Sequence, residues 1–186
     1  MSAKAGKGPV TRRIPPGDDR ERLVCLDCGF VNYQNPKVVV GSVVTSGEKI
    51  LLCRRAIEPR RGYWTIPAGY LEEHEDAQSG TKREAMEEAT AEIAIDALLA
   101  VYSIARISQI QLIYRATLAG NGDFAAGVES LEVAFFAWDE IPWSDLAFPS
   151  VHWALNHHHD VRAQRLFAPF INPPEQTGDL SSQRVR

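Results

Sequence analysis

The sequence predicts an α/β fold, in which helices pack against a β-sheet. Two observations predict it. Runs rich in β-branched and aromatic residues recur between positions 38 and 138, and a proline-free stretch of helix-forming residues, 76–89, lies among them. The first 36 residues differ, with several prolines and a short cysteine knuckle but no long periodic apolar pattern. We therefore expect a small N-terminal segment (1–36), a main domain (37–160) and a C-terminal extension (161–186).

The sheet is predicted from short apolar segments that are separated by turn signals. Residues 38–44 are a β-branched run, Ser46-Gly47-Glu48 offers a turn, and residues 49–53 follow as a second apolar run. This pattern predicts a hairpin of two buried strands, with Cys53 a buried strand residue. A short strand from Trp64 should end at Pro67. Three later segments complete the predicted sheet: residues 101–105, 109–118 and 131–138.

Two helices and a tail complete the secondary-structure prediction. The first helix covers about residues 76–89 and has acidic residues at its start, where the helix dipole favours them. The second covers about residues 149–158, and the run His157-His158-His159 should be an exposed helix end. From Ile171 onwards, prolines and serines predict a poorly ordered tail.

Composition excludes several classes of protein. With 45% apolar and 24% charged residues the chain resembles a soluble globular protein, and no window approaches 18 uninterrupted apolar residues. Its basic, polar start lacks the apolar region of a signal peptide. Three cysteines are too few, and odd in number, for a secreted disulfide framework. We therefore expect a cytoplasmic protein with reduced thiols and no membrane partner.

Charge is unevenly distributed, although the net charge is only −4. Eight acidic residues face two basic ones between positions 69 and 92, a balance that indicates cation binding. Just upstream lies a basic stretch that is too small for the usual nucleic-acid surface, so nucleic acid is not an expected partner. Either it is a solvated loop or its guanidinium groups contact a substrate diphosphate. Its members are Arg54, Arg55, Arg60 and Arg61.

Three glutamates of the first predicted helix share one face. Glu84, Glu87 and Glu88 are spaced i, i+3 and i+4, so their Cβ atoms should lie about 5–6 Å apart. Mg²⁺ or Mn²⁺, which take oxygen ligands, would remove the repulsion between their carboxylates. Such an ion polarises a phosphoryl oxygen and lowers the pKa of a bound water that attacks phosphorus. The alternative for a glutamate-rich helix is a solvated face.

The spacing around these glutamates resembles the Nudix box. Gly69 is followed after five residues by Glu75, and after seven more by Arg83-Glu84-Ala85-Met86-Glu87-Glu88. Residues 64–69 also resemble the strand and turn that enter the box, and the resemblance covers roughly residues 36–158. It implies the Nudix α/β/α sandwich with a mixed β-sheet. Thr90 and Ala91 depart from the pattern, because glycine and a bulky apolar residue are usual there and threonine disfavours a left-handed helix end.

The resemblance implies roles for individual residues. Glu84 and Glu88 resemble the principal metal ligands, Glu87 an additional ligand, and the Ala68 carbonyl a backbone ligand. Arg83 resembles the arginine that orients the glutamates, with Glu87 one turn away and Glu75 across the turn.

Further candidate residues lie in later loops and near the box. Nudix enzymes often add a glutamate from a later loop as ligand or base, and Glu129 is preferred here, with Glu132 close behind. Tyr70 and Phe148 are candidates for stacking on a base, although such aromatics are more often core residues.

Four segments resemble the Nudix group that hydrolyses FAD and ADP-ribose and releases AMP. They are residues 35–41, 51–55, 67–72 and 129–132. Two alternatives stay open: an NADH pyrophosphatase or NAD-cap hydrolase, and a catalytically silent domain that senses a nucleotide. The resemblance also implies a homodimer.

The N-terminal knuckle resembles half of a zinc ribbon that precedes some Nudix domains. Cys25 and Cys28 would be its second cysteine pair, but Ala3-Lys4-Ala5-Gly6 stands where the first pair belongs. Because zinc needs four ligands, both a bound zinc and a metal-free, degenerate ribbon stay open.

Overall fold

The computed structural model describes residues 8–180, which divide into two compact units, residues 8–36 and 37–180. Neither helix found in this part of the chain is long and apolar enough to cross a membrane.

The N-terminal unit is a small antiparallel sheet. Its three strands, in spatial order, are β1 (Thr11–Arg13), β2 (Arg22–Val24) and β3 (Val31–Asn32). A tight turn joins β2 to β3: the Gly29 N–H donates to the Cys25 carbonyl (2.9 Å), and the Cys25 N–H donates to the Phe30 carbonyl (2.8 Å). Both cysteines of the knuckle lie in this turn.

The second unit contains a seven-stranded sheet, in which five strands follow the order β10-β5-β4-β9-β8. β4 and β9 run parallel, whereas the other neighbours are antiparallel, so the mixed sheet is confirmed. The two short strands lie at one end, where β6 pairs with β5 and β7 with β4. The strands are β4 (Lys37–Ser46), β5 (Lys49–Arg55), β6 (Trp64–Thr65), β7 (Ala68–Tyr70), β8 (Ile93–Ile104), β9 (Gln109–Leu118) and β10 (Ser130–Phe136).

The predicted hairpin exists only at its tip. β4 and β5 pair through Thr45 with Ile50 and Ser46 with Lys49, and they then separate. Beyond the tip, β7 pairs with β4, and β6 with β5. This separation lets residues 64–70, which precede the helix that carries Glu84, Glu87 and Glu88 (the carboxylate helix), join the sheet as β6 and β7.

Helices cover both faces of the sheet, because successive strand residues point to opposite sides. On one side, Val44, Leu51 and Cys53 pack with buried alanines of α1 (Ala77–Ala89). On the other, Val43, Ile50 and Leu52 share a larger core with α2 (Pro149–Val161). The α/β/α sandwich is therefore confirmed, and Cys53, only 1% exposed, is buried as predicted.

Both ends of α1 are capped. The Asp76 carboxylate accepts from the N–H groups of Gln78 and Ser79, each at 3.0 Å, as an N-cap residue does. At the other end Thr90 adopts the left-handed conformation (φ 49°, ψ 30°), and its N–H donates to the Met86 carbonyl. The left-handed ending is therefore retained by a β-branched residue.

The prediction of an exposed end for the second helix is wrong. α2 continues to Val161, and His158 is only 8% exposed. His157 Nδ1 lies 2.7 Å from the Tyr102 hydroxyl, and the His159 ring stacks on Trp138 at 3.9 Å between centroids. His157 and His159 therefore contact distant parts of the chain, and His158 between them is buried.

The prediction of a poorly ordered tail is also wrong for residues 171–180. The chain runs beside β8 just before this segment, because the Phe170 N–H donates to the Leu99 carbonyl at 2.9 Å. Asn172 then bonds both the N–H and the carbonyl of Ser103, and the Trp153 indole donates to Gln176. The last six residues of the predicted tail lie outside the described part.

Candidate active site

Arg83 ties the carboxylates of α1 to the strand before it. Its Nε and Nη2 donate to the two carboxylate oxygens of Glu75 (3.2 and 2.7 Å), and Nη1 donates to Glu84 (2.7 Å) and Glu87 (2.9 Å). Nη2 also donates to the Tyr70 carbonyl at 2.9 Å. These bonds raise the pKa of Arg83, the Glu75 bond contributing most, and Arg83 in turn lowers the pKa of Glu75. Both contacts expected of Arg83 are therefore present.

Glu88 lies beneath β7. It is 6% exposed, and its Oε2 accepts from the Ala68 N–H at 3.0 Å. Burial raises the pKa of Glu88 to about 7, although the Ala68 bond acts in the opposite direction. Ala68, whose carbonyl was expected to be a ligand, is thus directly adjacent to this carboxylate.

Glu84 is buried against the backbone of Gly69. It is 8% exposed, and burial raises its pKa, with Arg83 partly offsetting the effect. A Cβ atom at position 69 would lie 2.2 Å from Glu84 Oε2. A side chain at position 69 would therefore displace the Glu84 carboxylate, which gives a physical reason for a glycine at the start of the box.

The donors around this helix suit a hard cation. The carboxylates of Glu84 and Glu88 are both buried, and burying two negative charges close together costs free energy unless a cation neutralises them. Mg²⁺ and Mn²⁺ prefer carboxylate oxygens as ligands. Within residues 8–180, however, no three Asp, Glu, His or Cys side chains are already gathered as a metal-binding group. The reason is visible in the contacts: Arg83 holds Glu84 and Glu87, while Glu88 bonds Ala68.

The loop that carries the later glutamates is fastened to the C-terminal end of α1. The Ala125 N–H donates to the Ala89 carbonyl (2.8 Å), and the Gly127 N–H donates to the Glu88 carbonyl (3.1 Å). The charge of Glu129, two residues on, raises the pKa of both Glu84 and Glu88. Gly127 is not among the candidate residues of the sequence analysis, and only its position shortly before Glu129 could have indicated a role.

Glu132 has a different environment. Its carboxylate forms an ion pair with Arg54 at 3.5 Å, and about half of each side chain is exposed. The structure thus brings Glu129 into electrostatic contact with the helix glutamates, whereas Glu132 is paired with Arg54.

The arginines of the basic stretch diverge. Arg55 lies close enough to Glu88 to lower the pKa of that carboxyl, and its guanidinium carbon is 5.3 Å from the centre of the Phe148 ring. Arg60 is held by the Ala147 carbonyl (3.1 Å) and covers the ring of Tyr63. Arg54 points to Glu132 and Gly62, and Arg61 is exposed. Of the four, Arg55 is the one whose charge reaches the carboxylates.

The two candidate stacking residues lie at the edges of this region. Tyr70 follows Gly69 in β7 and is 50% exposed, with Lys37 Nζ 4.9 Å from its ring centre. Phe148 is partly buried and immediately precedes α2.

Comparisons with known proteins agree with this geometry. The family model described as NUDIX domain matches residues 35–155, and one described as Nudix N-terminal matches residues 6–34. A NUDIX hydrolase of known crystal structure from Nitrosomonas europaea is 44% identical, with a TM-score of 0.82; the match covers 92% of this chain and 98% of that one.

Two curated proteins are similar over shorter stretches. An ADP-ribose pyrophosphatase of Methanocaldococcus jannaschii is 30% identical over 114 residues, which are 59% of this chain and 67% of that protein. A MutT-like protein of Streptomyces ambofaciens is 31% identical over 103 residues, 55% of this chain and 64% of that protein. The NUDIX match covers more than half of the chain and contains the whole carboxylate helix, so this chain belongs to the Nudix hydrolase family.

Proposed function

We propose that this protein hydrolyses the diphosphate linkage of ADP-ribose and releases AMP and ribose phosphate. The observation that carries the proposal is the pair of buried carboxylates, Glu84 and Glu88, held beside the backbone of Gly69 and Ala68. The relative from Methanocaldococcus jannaschii, named an ADP-ribose pyrophosphatase, supports this choice of substrate.

Glu84, Glu88 and Glu129 are the side chains that would hold Mg²⁺ or Mn²⁺, with Glu87 and the Ala68 carbonyl as further donors. All of these groups are oxygen ligands of the kind that both ions prefer. A bound ion supplies Lewis-acid polarisation of a phosphoryl oxygen and a water of lowered pKa.

The protein's own contribution is to fix the carboxylates. Arg83 prevents Glu84 and Glu87 from swinging apart, because one nitrogen, Nη1, bonds both. The Ala68 N–H fixes the rotamer of Glu88. These bonds restrict the freedom of the carboxylates before a cation binds, which lowers the cost of assembling the site. Glu129 would act from the fastened loop as a further ligand or as the base that takes the proton from the attacking water.

Arg55 is the best candidate to contact the substrate diphosphate. Its Nε is engaged by the Pro59 carbonyl at 2.9 Å, which orients the guanidinium group and leaves its two terminal nitrogens for a phosphate. Its position between Glu88 and the ring of Phe148 would put that phosphate near the carboxylates and a base-stacking surface together.

A substrate panel tests the proposal. ADP-ribose, FAD, NADH, diadenosine polyphosphates and nucleoside triphosphates are incubated with the protein in Mg²⁺ or Mn²⁺, and products are separated chromatographically. We expect ADP-ribose to have the highest kcat/KM and to yield AMP, with excess EDTA abolishing turnover. A higher kcat/KM for FAD or NADH would overturn the choice of substrate. Tight binding of ADP-ribose without turnover in either metal would instead support the silent sensor.

A further inference from the structure

The N-terminal unit lacks half of the ligands of a zinc ribbon. Residues 1–36 contain Cys25 and Cys28 but no other cysteine and no histidine, whereas a structural zinc site needs four such ligands. One chain therefore does not provide a complete zinc site in this unit, although the unit matches the Nudix N-terminal family model. The question is what two thiols do in a knuckle without the opposite pair.

The knuckle nevertheless holds the two cysteines in one turn. Cys25 is 6% exposed, whereas Cys28 is exposed. The turn is closed on both sides of Cys25 by its bonds with Gly29 and Phe30, so the cysteines stay three positions apart in one tight loop. Neither is part of a disulfide.

The turn also makes Cys25 more acidic. The backbone N–H groups of Cys28 and Asp27, both in the turn, lower the pKa of the Cys25 thiol, and the N–H group of Gly8 acts in the same direction. Hydrogen bonds to sulfur favour the thiolate, and they lower the pKa of Cys25. The knuckle therefore keeps the environment of a thiolate without a complete set of metal ligands.

We propose that Cys25 and Cys28 form a thiol–disulfide exchange site that accepts low-molecular-weight disulfides. The exposed Cys28 sulfur attacks one sulfur of the disulfide and breaks its S–S bond. One small thiol leaves with the proton that Cys28 gives up, and a mixed disulfide remains on Cys28. The Cys25 thiolate then attacks Cys28 Sγ, forms the Cys25–Cys28 bond and releases the second small thiol. The two cysteines are oxidised, and one molecule of small disulfide is reduced to two thiols.

Cys53 is the internal control for this reactivity. It is 1% exposed in β5, and burial raises its pKa, so it should remain a thiol under the same conditions. A difference between the knuckle and Cys53 within one molecule reports the local environment rather than general oxidation.

The test uses the full chain and glutathione disulfide, with no measurement of hydrolase activity. After incubation and alkylation, tryptic peptides are analysed by mass spectrometry; residues 23–37 contain both knuckle cysteines in one peptide. We expect that peptide to lose two hydrogens while Cys53 is alkylated only after unfolding. In the Cys28→Ser variant the internal disulfide should be absent, and oxidation of the knuckle should slow by about tenfold or more, because the exposed attacking thiol is missing.

Two results would overturn the proposal. One is complete alkylation of both knuckle thiols after exposure to glutathione disulfide. The other is elemental analysis that finds tightly held zinc at one ion per chain, or one per two chains, with both thiols protected until a chelator is added. The second result would mean that the knuckle completes its ligand set with another copy of the chain. The independent readout keeps either failure separate from a failure of the proposed hydrolase activity.

Discussion

Gly127 lies directly against Glu88 at the end of the carboxylate helix, and its N–H donates to the Glu88 carbonyl over 3.1 Å. A Cβ atom at position 127 would lie 1.7 Å from the neighbouring Glu87 carbonyl oxygen. This close approach fastens the loop that carries Glu129 to the helix that carries Glu84 and Glu88. Glycine is required here for space, since its φ is not in the left-handed region.

The first prediction is that Gly127→Ala moves this loop away from the helix. We expect a loss of about 1–3 kcal/mol in the free energy of unfolding, as for overpacking in a core. Displacement of Glu129 by about 1 Å should lower kcat by roughly 10²-fold. Val128→Ala is the matched control, because Val128 is 97% exposed and its truncation should change neither quantity. Equal kcat values for Gly127→Ala and Val128→Ala would show that the position of this loop does not affect catalysis.

The second prediction distinguishes the two later glutamates. Glu129→Gln should lower kcat far more than Glu132→Gln, since the charge of Glu129 reaches Glu84 and Glu88 whereas Glu132 pairs with Arg54 on the surface. Half-exposed ion pairs of the latter kind contribute about 0–1 kcal/mol, so Glu132→Gln should be nearly neutral in stability. Steady-state kinetics across a Mg²⁺ titration measures both variants. A larger loss of kcat in Glu132→Gln than in Glu129→Gln would mean that Glu132, and not Glu129, is the later ligand or base.

The third prediction concerns Arg83→Lys. Lysine keeps the charge but cannot bond Glu75, Glu84 and Glu87 at once, because it lacks the planar fork of the guanidinium group. We expect a loss of about 1.5–3 kcal/mol, the value of one hydrogen bond to a charged group, and a fall of at least about tenfold in kcat. Lys82→Ala, one position earlier and exposed, is the control. Unchanged kcat in Arg83→Lys would show that charge alone is sufficient.

The parts that could be predicted from sequence depend on local spacing. Glu84 and Glu88 are one helical turn apart in α1, and Glu75, just before the helix, is only eight residues from Arg83. Both relations therefore depend on short stretches of the chain. The strand alternation that separates Val43 from Val44 is equally local. These relations need no knowledge of distant residues.

The errors concern long-range contacts. The run of histidines appears polar in the sequence, but His157 packs on Phe170 and His159 packs on Trp138. Both aromatic residues lie outside the helix that carries the histidines. The prolines and serines of the tail predict poor order, yet the Asn172 side chain bonds the backbone N–H and carbonyl of Ser103, as a neighbouring strand would. Ser103 lies 69 residues earlier in the sequence. No periodicity in one segment indicates which distant surface will cover it.

The fourth prediction is a loss of stability below neutral pH that depends on His158. Burial lowers the pKa of His158 to about 4, from an ordinary value of about 6.5 in the unfolded chain, and its buried Nδ1 has no hydrogen-bond partner among residues 8–180. Because the folded pKa is depressed, the unfolded chain binds the extra proton first. Stability should therefore fall from about pH 6.5 to about pH 4, by up to about 3 kcal/mol.

Chemical denaturation at several pH values measures this effect. In His158→Phe, which keeps an aromatic ring and removes the titrating group, the contribution of this residue to the slope between pH 4 and 6.5 should be absent. The carboxylates titrate in both proteins, so the difference between the two curves isolates the histidine. Parallel curves would show that His158 does not remain neutral in the folded protein.

The last prediction is that Glu88→Gln abolishes turnover and leaves the fold intact. Glutamine has nearly the same shape, and its side-chain carbonyl can still accept the Ala68 N–H that now bonds Glu88 at 3.0 Å. What is lost is a negative charge at a position that is 6% exposed, where a divalent cation would need it. We expect kcat to fall about 10³-fold or more, which corresponds to roughly 4 kcal/mol at the transition state. Binding of ADP-ribose should change much less, because the contacts with the base and ribose do not depend on this carboxylate.

Glu92→Gln, exposed and beyond the helix, is the matched control and should keep wild-type kcat. Thermal melts establish that both variants are folded, and a folded Glu88→Gln protein with wild-type kcat would refute the role given to this glutamate.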